Sequence, residues 1–209
     1  MLFAIVSFAL TQDAAGRALD AAVAAYADVR TARATFEQTV TNPLTGTTLR
    51  SRGEFEQQRP NRFAFRFTDP AGDVIISDGT QVWLYLPSST PGQVIRSPLS
   101  RDPAHSLDLI GEFFNNPRAR YAVADGGAAT VDGRSTRIVV LAPRGAGASF
   151  ARARVWIDDL DGRLRQFEAE EPSGVTRVVH ITTFSPNAAV PRSAFTFTPP
   201  RGVRVVEQP

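Results

Sequence analysis

The side chains of this sequence that could act as acids, bases or nucleophiles do not form a catalytic set. The two histidines are His105 and His180. His105 stands beside Ser106 and two aspartates in RDPAHSLDL, but residues so close on one short helix cannot easily converge on one reacting atom. The G-x-S-x-G turn of serine hydrolases is absent. His180 stands alone in a predicted strand, so we predict that the protein is not an enzyme.

The acidic residues do not predict a metal site either. The segment DDLDG (158–162) resembles the start of a calcium loop, but it lacks the later ligands and lies between two predicted strands. A hairpin turn is the better interpretation. Glu168 and Glu170 share one strand face that we expect to be solvated, and no second acid is paired with them.

Composition excludes several classes of site and partner. Without cysteine the chain has no disulfides, thiolate nucleophile or cysteine metal site. Without lysine it has no Schiff-base residue and no Walker A motif. All 23 basic residues are arginines, scattered singly in a chain of net charge +2, which argues against a nucleic-acid partner. We predict no cofactor.

The N-terminus carries a short apolar run, from Leu2 to Leu10, that cannot span a bilayer. Small residues follow it, as in secretory signals. We predict a signal peptide at residues 1–12, a single domain at 13–209 and export from the cytoplasm. The alternative is that the run simply begins the first helix.

Periodicity predicts one helix followed by a long meander of strands. Residues 14–33 read as an Ala-rich amphipathic helix with Leu19, Val23, Tyr26 and Val29 on one stripe. Asp-Gly pairs at 78–79, 132–133 and 161–162 predict hairpins. The predicted strands are 34–42, 47–57, 61–68, 73–77, 81–86, 93–97, 119–124, 136–142, 151–158, 163–170, 175–184 and 194–198. Antiparallel sheets of this length tend to curl.

The segment RPNRFAFRFTDP (59–70) alternates strictly. Phe63, Phe65 and Phe67 lie on one face of the predicted strand, with arginines and Ala64 on the other. Further aromatic residues fall on other strands or on an inserted helix: Phe36, Phe55, Trp83, Phe113, Phe114 and Trp156. Two interpretations remain open, an ordinary core or the wall of a cavity for an apolar guest.

One predicted helix interrupts the meander. Asp102 is its expected N-cap and Pro103 its first residue, and Asn116-Pro117 ends it. Gly111 weakens its middle. Its apolar stripe consists of Leu107, Ile110, Phe113 and Phe114. Such a helix is either a plug that caps the barrel or a movable lid.

Four segments in order then resemble the LolA family of periplasmic carriers of outer-membrane lipoproteins. They are ATFEQTV, GEFEQQRPNRFAFRF, ISDGTQVWLYLP and FTFTPPRGVRVV. The resemblance extends from about residue 18 to 207. It implies a mainly β fold, an unclosed antiparallel β-barrel with an N-terminal helix and a helical lid over a hydrophobic cavity, in agreement with the meander and inserted helix.

The resemblance also implies a function. Such a carrier accepts acylated lipoproteins from an inner-membrane lipoprotein-releasing ABC transporter and passes them to an outer-membrane lipoprotein receptor. The receptor has the same fold but is anchored through a cysteine, so this cysteine-free chain resembles the soluble carrier, which we expect to be a monomer. Arg59 matches the arginine that bonds to the lid in the closed form. The predicted acyl-chain site comprises Phe36, Phe55, Phe63, Phe65, Phe67, Trp83, Leu107, Ile110, Phe113, Phe114 and Trp156.

Three other functions stay open on the sequence alone. The same fold could serve an envelope-stress sensor or another lipid-binding relative. A sheet face or edge could instead dock another envelope protein, which would need no cavity. A hydrolase is the most remote alternative, because it would require polar groups that the sequence does not assemble.

Overall fold

The computed structural model describes residues 3–99, 109–145 and 148–208. Within these ranges the chain forms three α-helices and twelve strands. The helices are α1 (Phe3–Tyr26), α2 (Leu109–Phe114) and α3 (Pro117–Arg120). The strands are β1 (Thr31–Asn42), β2 (Thr47–Gln58), β3 (Arg62–Asp69), β4 (Ala71–Asp78), β5 (Gln81–Tyr85), β6 (Gln93–Pro98), β7 (Tyr121–Val131), β8 (Arg134–Pro143), β9 (Arg152–Asp158), β10 (Leu164–Glu170), β11 (Thr176–Pro186) and β12 (Arg204–Glu207).

All twelve strands belong to one open sheet. Its order is β12-β6-β5-β4-β3-β2-β1-β11-β10-β9-β8-β7, so β12 and β7 are its edges and the barrel does not close. Every pairing is antiparallel except that of β12 with β6, which is parallel. One buried apolar cluster includes Val82 on β5 and Tyr121 on β7, so the sheet curls around it. We call the face that carries this cluster the concave face. The predicted mainly β, unclosed barrel is confirmed.

Helix α1 covers the concave face at β7, β8 and β9. Alanine, the best helix former, recurs along it. Its fully buried residues Ala15, Leu19, Ala22 and Tyr26 follow helical spacing. The prediction that the helix reaches residue 33 is wrong. Buried and exposed residues alternate from Thr31 onward, and the backbone there pairs with β2 and β11 instead.

The three Asp-Gly hairpins are confirmed between β4 and β5, β7 and β8, and β9 and β10. Gly162 shows why glycine is needed at one of them. Its φ is +67°, and a Cβ there would lie 2.8 Å from the carbonyl oxygen of Ala21 in α1. The turn therefore packs directly against the helix that covers the sheet.

The C-terminal region differs from the prediction. Residues 192–195 form a 3-10 helix and not the start of a strand, and the last strand is β12. Pro191, Pro199 and Pro200 flank the segment, and proline donates no ladder hydrogen bond. The segment crosses the convex face, where Phe195 packs with Ala64 and Ile76. Ala64 and Arg66 are thus covered by protein, with Arg66 Nη2 donating to the Ala194 carbonyl oxygen at 2.6 Å.

The inserted helix ends close to its predicted position, but a second short helix follows it. Helix α2 ends at Phe114, and Asn116 is the N-cap of the short helix α3, which occupies the start of the predicted strand 119–124. Strand β7 then runs on to Val131, through the Ala- and Gly-rich segment ADGGAATV. Alanine and glycine have low strand propensity, so the sequence did not predict that the strand extends to Val131. The expected N-cap Asp102, Pro103 and Leu107 lie outside the described residues.

Candidate functional site

Five phenylalanines from three adjacent strands form one aromatic wall on the concave face. Phe63, Phe65 and Phe67 alternate along β3, and Phe55 on β2 lies opposite Phe65. The Phe55 and Phe65 ring centroids are 4.7 Å apart, and Phe36 on β1 makes edge contacts with Phe65 and Phe67 at 5.8 and 5.6 Å. The structure thus brings together the predicted wall residues of β1, β2 and β3.

Helix α2 inserts two further phenylalanines against this face from the other side. The Phe114 ring stacks on Tyr26 of α1 at 5.1 Å, and the Phe113 ring lies 5.1 Å from Phe167 and 5.9 Å from Phe150. Phe113 is 2% exposed and Phe114 5% exposed. Ile110 lies in the same helix. In this structure α2 therefore occupies the apolar interior of the barrel.

A small cavity of about 30 Å³ remains between the wall, α1 and strands β10 and β11. Its lining consists of Tyr26, Ala34, Phe36, Phe55, Leu164, Phe167, Val179, Ile181 and Phe184. Pockets for organic ligands usually measure roughly 300–1,000 Å³. This cavity is far smaller than that, so an acyl chain would enter it only if α2 or the lining side chains moved.

The lining from β10 and β11 was not among the predicted site residues. Phe167, Val179 and Ile181 lie on these strands and face the cavity, although the strands themselves were predicted. Counting alternate positions along RVVHIT would have identified Val179 and Ile181. Phe184 escapes such counting because a bulge shifts the register between Thr35 and Phe36.

Polar bonds tie α2 to the beginning of β7. The Tyr121 hydroxyl donates towards Glu112, 2.8 Å from its carbonyl oxygen and 2.9 Å from its Oε1. Arg120 donates to the same two oxygens at 2.7 and 3.0 Å. Burial, followed by the negative charge of Glu112, raises the pKa of Tyr121 well above its usual value. The hydroxyl therefore stays protonated and able to donate.

Arg59 bonds to α1 among the described contacts. Its Nη1 donates to the carbonyl oxygen of Tyr26, the last residue of α1, at 3.4 Å. Helix-end carbonyls have no partner within the helix, and a cation near them is favourable. Tyr26 in turn stacks on Phe114, so Arg59 is linked to α2 through one residue. Burial raises the pKa of Tyr26 to about 12, although its hydroxyl accepts a hydrogen bond from the Leu164 amide.

The two tryptophans lie on the convex face, which corrects their predicted place in the cavity wall. Val82 and Leu84 belong to the concave cluster, so Trp83 between them points the other way, against Phe197. Trp156 lies between two concave residues in the same manner and packs under the Arg154 guanidinium at 4.9 Å. Strand alternation determines on which face each tryptophan lies, whereas aromatic character alone does not predict it.

Other described charged groups include a surface pair and a buried network. His180 Nε2 lies 2.7 Å from Asp132 Oδ2. Asp158 is buried and accepts from Arg134 and Arg165. Burial opposes its charge, but these bonds and the Leu160 amide outweigh burial and hold the pKa of Asp158 far below its usual value. Among the described residues, no three histidine, aspartate or glutamate side chains are grouped to hold a metal ion.

None of the described helices is long and apolar enough to cross a membrane.

The sequence matches the family model described as outer membrane lipoprotein carrier protein LolA over residues 27–198. The outer-membrane lipoprotein carrier protein of Methylibium petroleiphilum is 32% identical over 193 residues, which cover 91% of this chain and 90% of that protein. The protein of the same name from Leptothrix cholodnii is 32% identical over 190 residues, with coverage of 87% and 81%.

Among solved structures, an uncharacterized conserved protein from Thermus thermophilus superposes with a TM-score of 0.57. The match covers 93% of this chain and 99% of that one at 15% identity. At that identity the likeness concerns the fold, which the two chains share over nearly their whole lengths.

Proposed function

The chain belongs to the LolA family of outer membrane lipoprotein carrier proteins, and we propose that it carries lipoproteins by holding their acyl chains against the concave face. LolA carriers are periplasmic. The observation that supports this use of the face is its occupation by α2. Two phenylalanines of a short helix fill the interior, and an acyl chain would replace them there.

Helix α2 has the properties of a lid that can leave. Its described part, Leu109–Phe114, contains Gly111, which lowers helix stability by about 1 kcal/mol relative to alanine. Fully burying a phenylalanine side chain contributes about 1.5–3 kcal/mol. Two such side chains close the empty barrel without making closure irreversible.

The cargo offsets the cost of opening. Each methylene moved out of water contributes about 0.8 kcal/mol, so one long acyl chain outweighs the two phenylalanines that it displaces. When the cargo leaves, Phe113 and Phe114 return to their contacts with Tyr26 and Phe167 and cover the concave face there. Covering it limits the apolar surface that the empty carrier would otherwise expose to water.

The route of the cargo follows from the same proposal. The carrier takes acylated lipoproteins from an inner-membrane lipoprotein-releasing ABC transporter and delivers them to an outer-membrane lipoprotein receptor, acting as a monomer. Transfer requires no covalent chemistry, so the carrier needs no catalytic residue, metal or cofactor. Family membership favours this function over a stress sensor, a docking module or a hydrolase.

The test is recovery of cargo from the cell. The protein, purified from the periplasm of cells that express it, should carry acylated lipoproteins identifiable by mass spectrometry. A variant with Trp156 changed to Phe, on the convex face, serves as the matched control and should carry the same cargo. Preparations free of lipoprotein, from cells in which the transporter is active, would contradict the proposal.

A further inference from the structure

A row of polar side chains borders the aromatic wall on the concave face. Gln38 on β1 lies opposite Ser51 on β2 and opposite Val179 on β11 in the sheet register. Arg177 lies two residues before Val179 on the same strand, about 7 Å away. Arg177 Nη1 donates to Gln38 Oε1 at 2.9 Å, and Gln38 Nε2 donates to Ser51 Oγ at 3.2 Å. We call these three residues the polar rim.

The rim lies on the same face as the cavity lining. Strand alternation places Gln38 on the face of Phe36, Ser51 on that of Phe55, and Arg177 on that of Val179. Phe36, Phe55 and Val179 all line the cavity. The rim therefore continues the cavity wall along the strands.

The rim also marks where the apolar lining meets water. The Arg177 side chain is 41% exposed. Leu49 lies two residues before Ser51 on β2 and also on the concave face, yet it is 64% exposed. An acyl chain lying against the wall would thus leave the barrel past these three side chains.

We propose that the polar rim binds the carbonyl groups by which a lipoprotein's acyl chains are joined to its N-terminal residue. This inference rests on the proposed carrier function. The acyl chains are apolar, but each ends in an ester or amide carbonyl that accepts hydrogen bonds and loses water on entering the barrel. Arginine carries five N–H donors and no acceptor, which suits a cluster of carbonyl oxygens.

The contacts of Arg177 position it to bind such carbonyl groups. Among the described residues, its close hydrogen bond is to Gln38, and its ion-pair contact with Glu171 is long, at 3.9 Å. Gln38 is fixed from its other side by Ser51. The guanidinium is thus positioned at the border, with donors left to meet a ligand. Gln38 acts on the cargo through Arg177 and is a positioning residue.

The test compares two probes on Arg177→Gln. One probe is a synthetic diacylated lipopeptide, and the other is N-phenyl-1-naphthylamine, a neutral apolar dye without carbonyl groups. Arg177→Gln should weaken lipopeptide binding about tenfold, as expected for the loss of charged hydrogen bonds, and leave dye binding unchanged. The matched control is Arg152→Gln, which removes the same charge from the convex face and should leave binding of both probes unchanged.

Each other outcome overturns the inference. Equal lipopeptide affinity in Arg177→Gln and the parent would show that the rim does not contact the cargo. Parallel loss of both probes would show that Arg177 shapes the cavity only. In a parallel assay, if Arg177→Gln lost binding of phosphatidylglycerol but kept binding of the lipopeptide, the rim would bind phosphate groups and not acyl-chain carbonyls. The carrier proposal fails separately, if the parent protein binds neither lipopeptide nor dye.

Discussion

We expect single residues to set the balance between the closed and open forms of the proposed lid. Arg59 bonds to the end of α1, and Tyr121 and Arg120 bond to Glu112 in α2. The resemblance implied a bond from Arg59 to the lid. That bond stays a prediction, and a described contact of Arg59 goes to Tyr26, whose ring stacks on Phe114 of α2. We expect Arg59 to influence the lid through this stack.

Arg59→Leu should therefore fold normally and accept acyl chains but deliver them poorly. Loss of a charged hydrogen bond shifts the equilibrium between closed and open forms roughly tenfold towards open, which removes the gain that drives release. The measurement is transfer of a labelled lipoprotein from donor to acceptor membranes. Arg59→Lys, which keeps the charge, should retain more transfer. Delivery by Arg59→Leu at the parent rate would show that Arg59 does not hold the lid closed.

Asp158 is expected to make the stability of the folded protein depend on pH. Because its pKa is lower in the folded state than in the unfolded state, its ionised form stabilises the fold at pH values above about 4, and this contribution fades as the pH falls below that value. Asp158→Asn should lower the free energy of unfolding by about 3 kcal/mol at pH 7. The difference from the parent should shrink between pH 4 and pH 2, as followed by urea unfolding.

The control for this experiment is Glu170→Gln. Glu170 pairs with Arg152 at 2.9 Å on the surface, and such exposed pairs contribute about 0–1 kcal/mol. If the difference in unfolding free energy between Asp158→Asn and the parent stayed constant across the acid range, Asp158 would not be the source of this pH dependence.

At the scale of elements, the sheet was predictable and the lid was only partly so. Strict alternation placed β3 and its three phenylalanines correctly, and Asp-Gly pairs located the three hairpins. The facing of Trp83 depends on strand register, which composition does not contain. The end of the inserted helix near Asn116-Pro117 was predicted, whereas the short helix α3, which follows Asn116 in its left-handed conformation, was not.

A further prediction concerns the two phenylalanines of α2. Changing Phe113 and Phe114 to Ser should open the empty barrel, because each loss of buried phenylalanine shifts the equilibrium about tenfold or more. The measurement is fluorescence of an apolar dye added to the empty protein, which should rise. Phe195→Ser on the convex face is the control for general destabilisation and should not increase the dye signal. If dye access and cargo binding both stay at parent levels, α2 is a plug.

At the scale of the whole molecule, a continuous helix joins the predicted signal segment to the domain. Helix α1 begins at Phe3, and its buried residues include Ala15, Leu19 and Tyr26. All three follow residue 12, so the predicted mature chain retains them. The structure is therefore compatible with a mature protein that begins inside α1.

N-terminal sequencing of the protein recovered from the periplasm tests this prediction. The mature chain should begin between Leu10 and Ala14, because the apolar run ends there. Its thermal unfolding should match that of a chain expressed from residue 13. Recovery of intact Met1 from the cytoplasmic fraction would refute export.

The central claim is that cargo displaces α2 from the concave face. The chain has no cysteine, so Phe114→Cys introduces a unique thiol at a position that is 5% exposed in the closed form. Leu160→Cys, at a position 86% exposed in the β9–β10 turn, reports the rate of an open site. The reaction of each thiol with a colorimetric disulfide reagent is timed with and without diacylated lipopeptide. The Phe114→Cys thiol should react slowly in the empty protein and approach the Leu160→Cys rate when lipopeptide is bound. Bound lipopeptide with no acceleration at position 114 would contradict it.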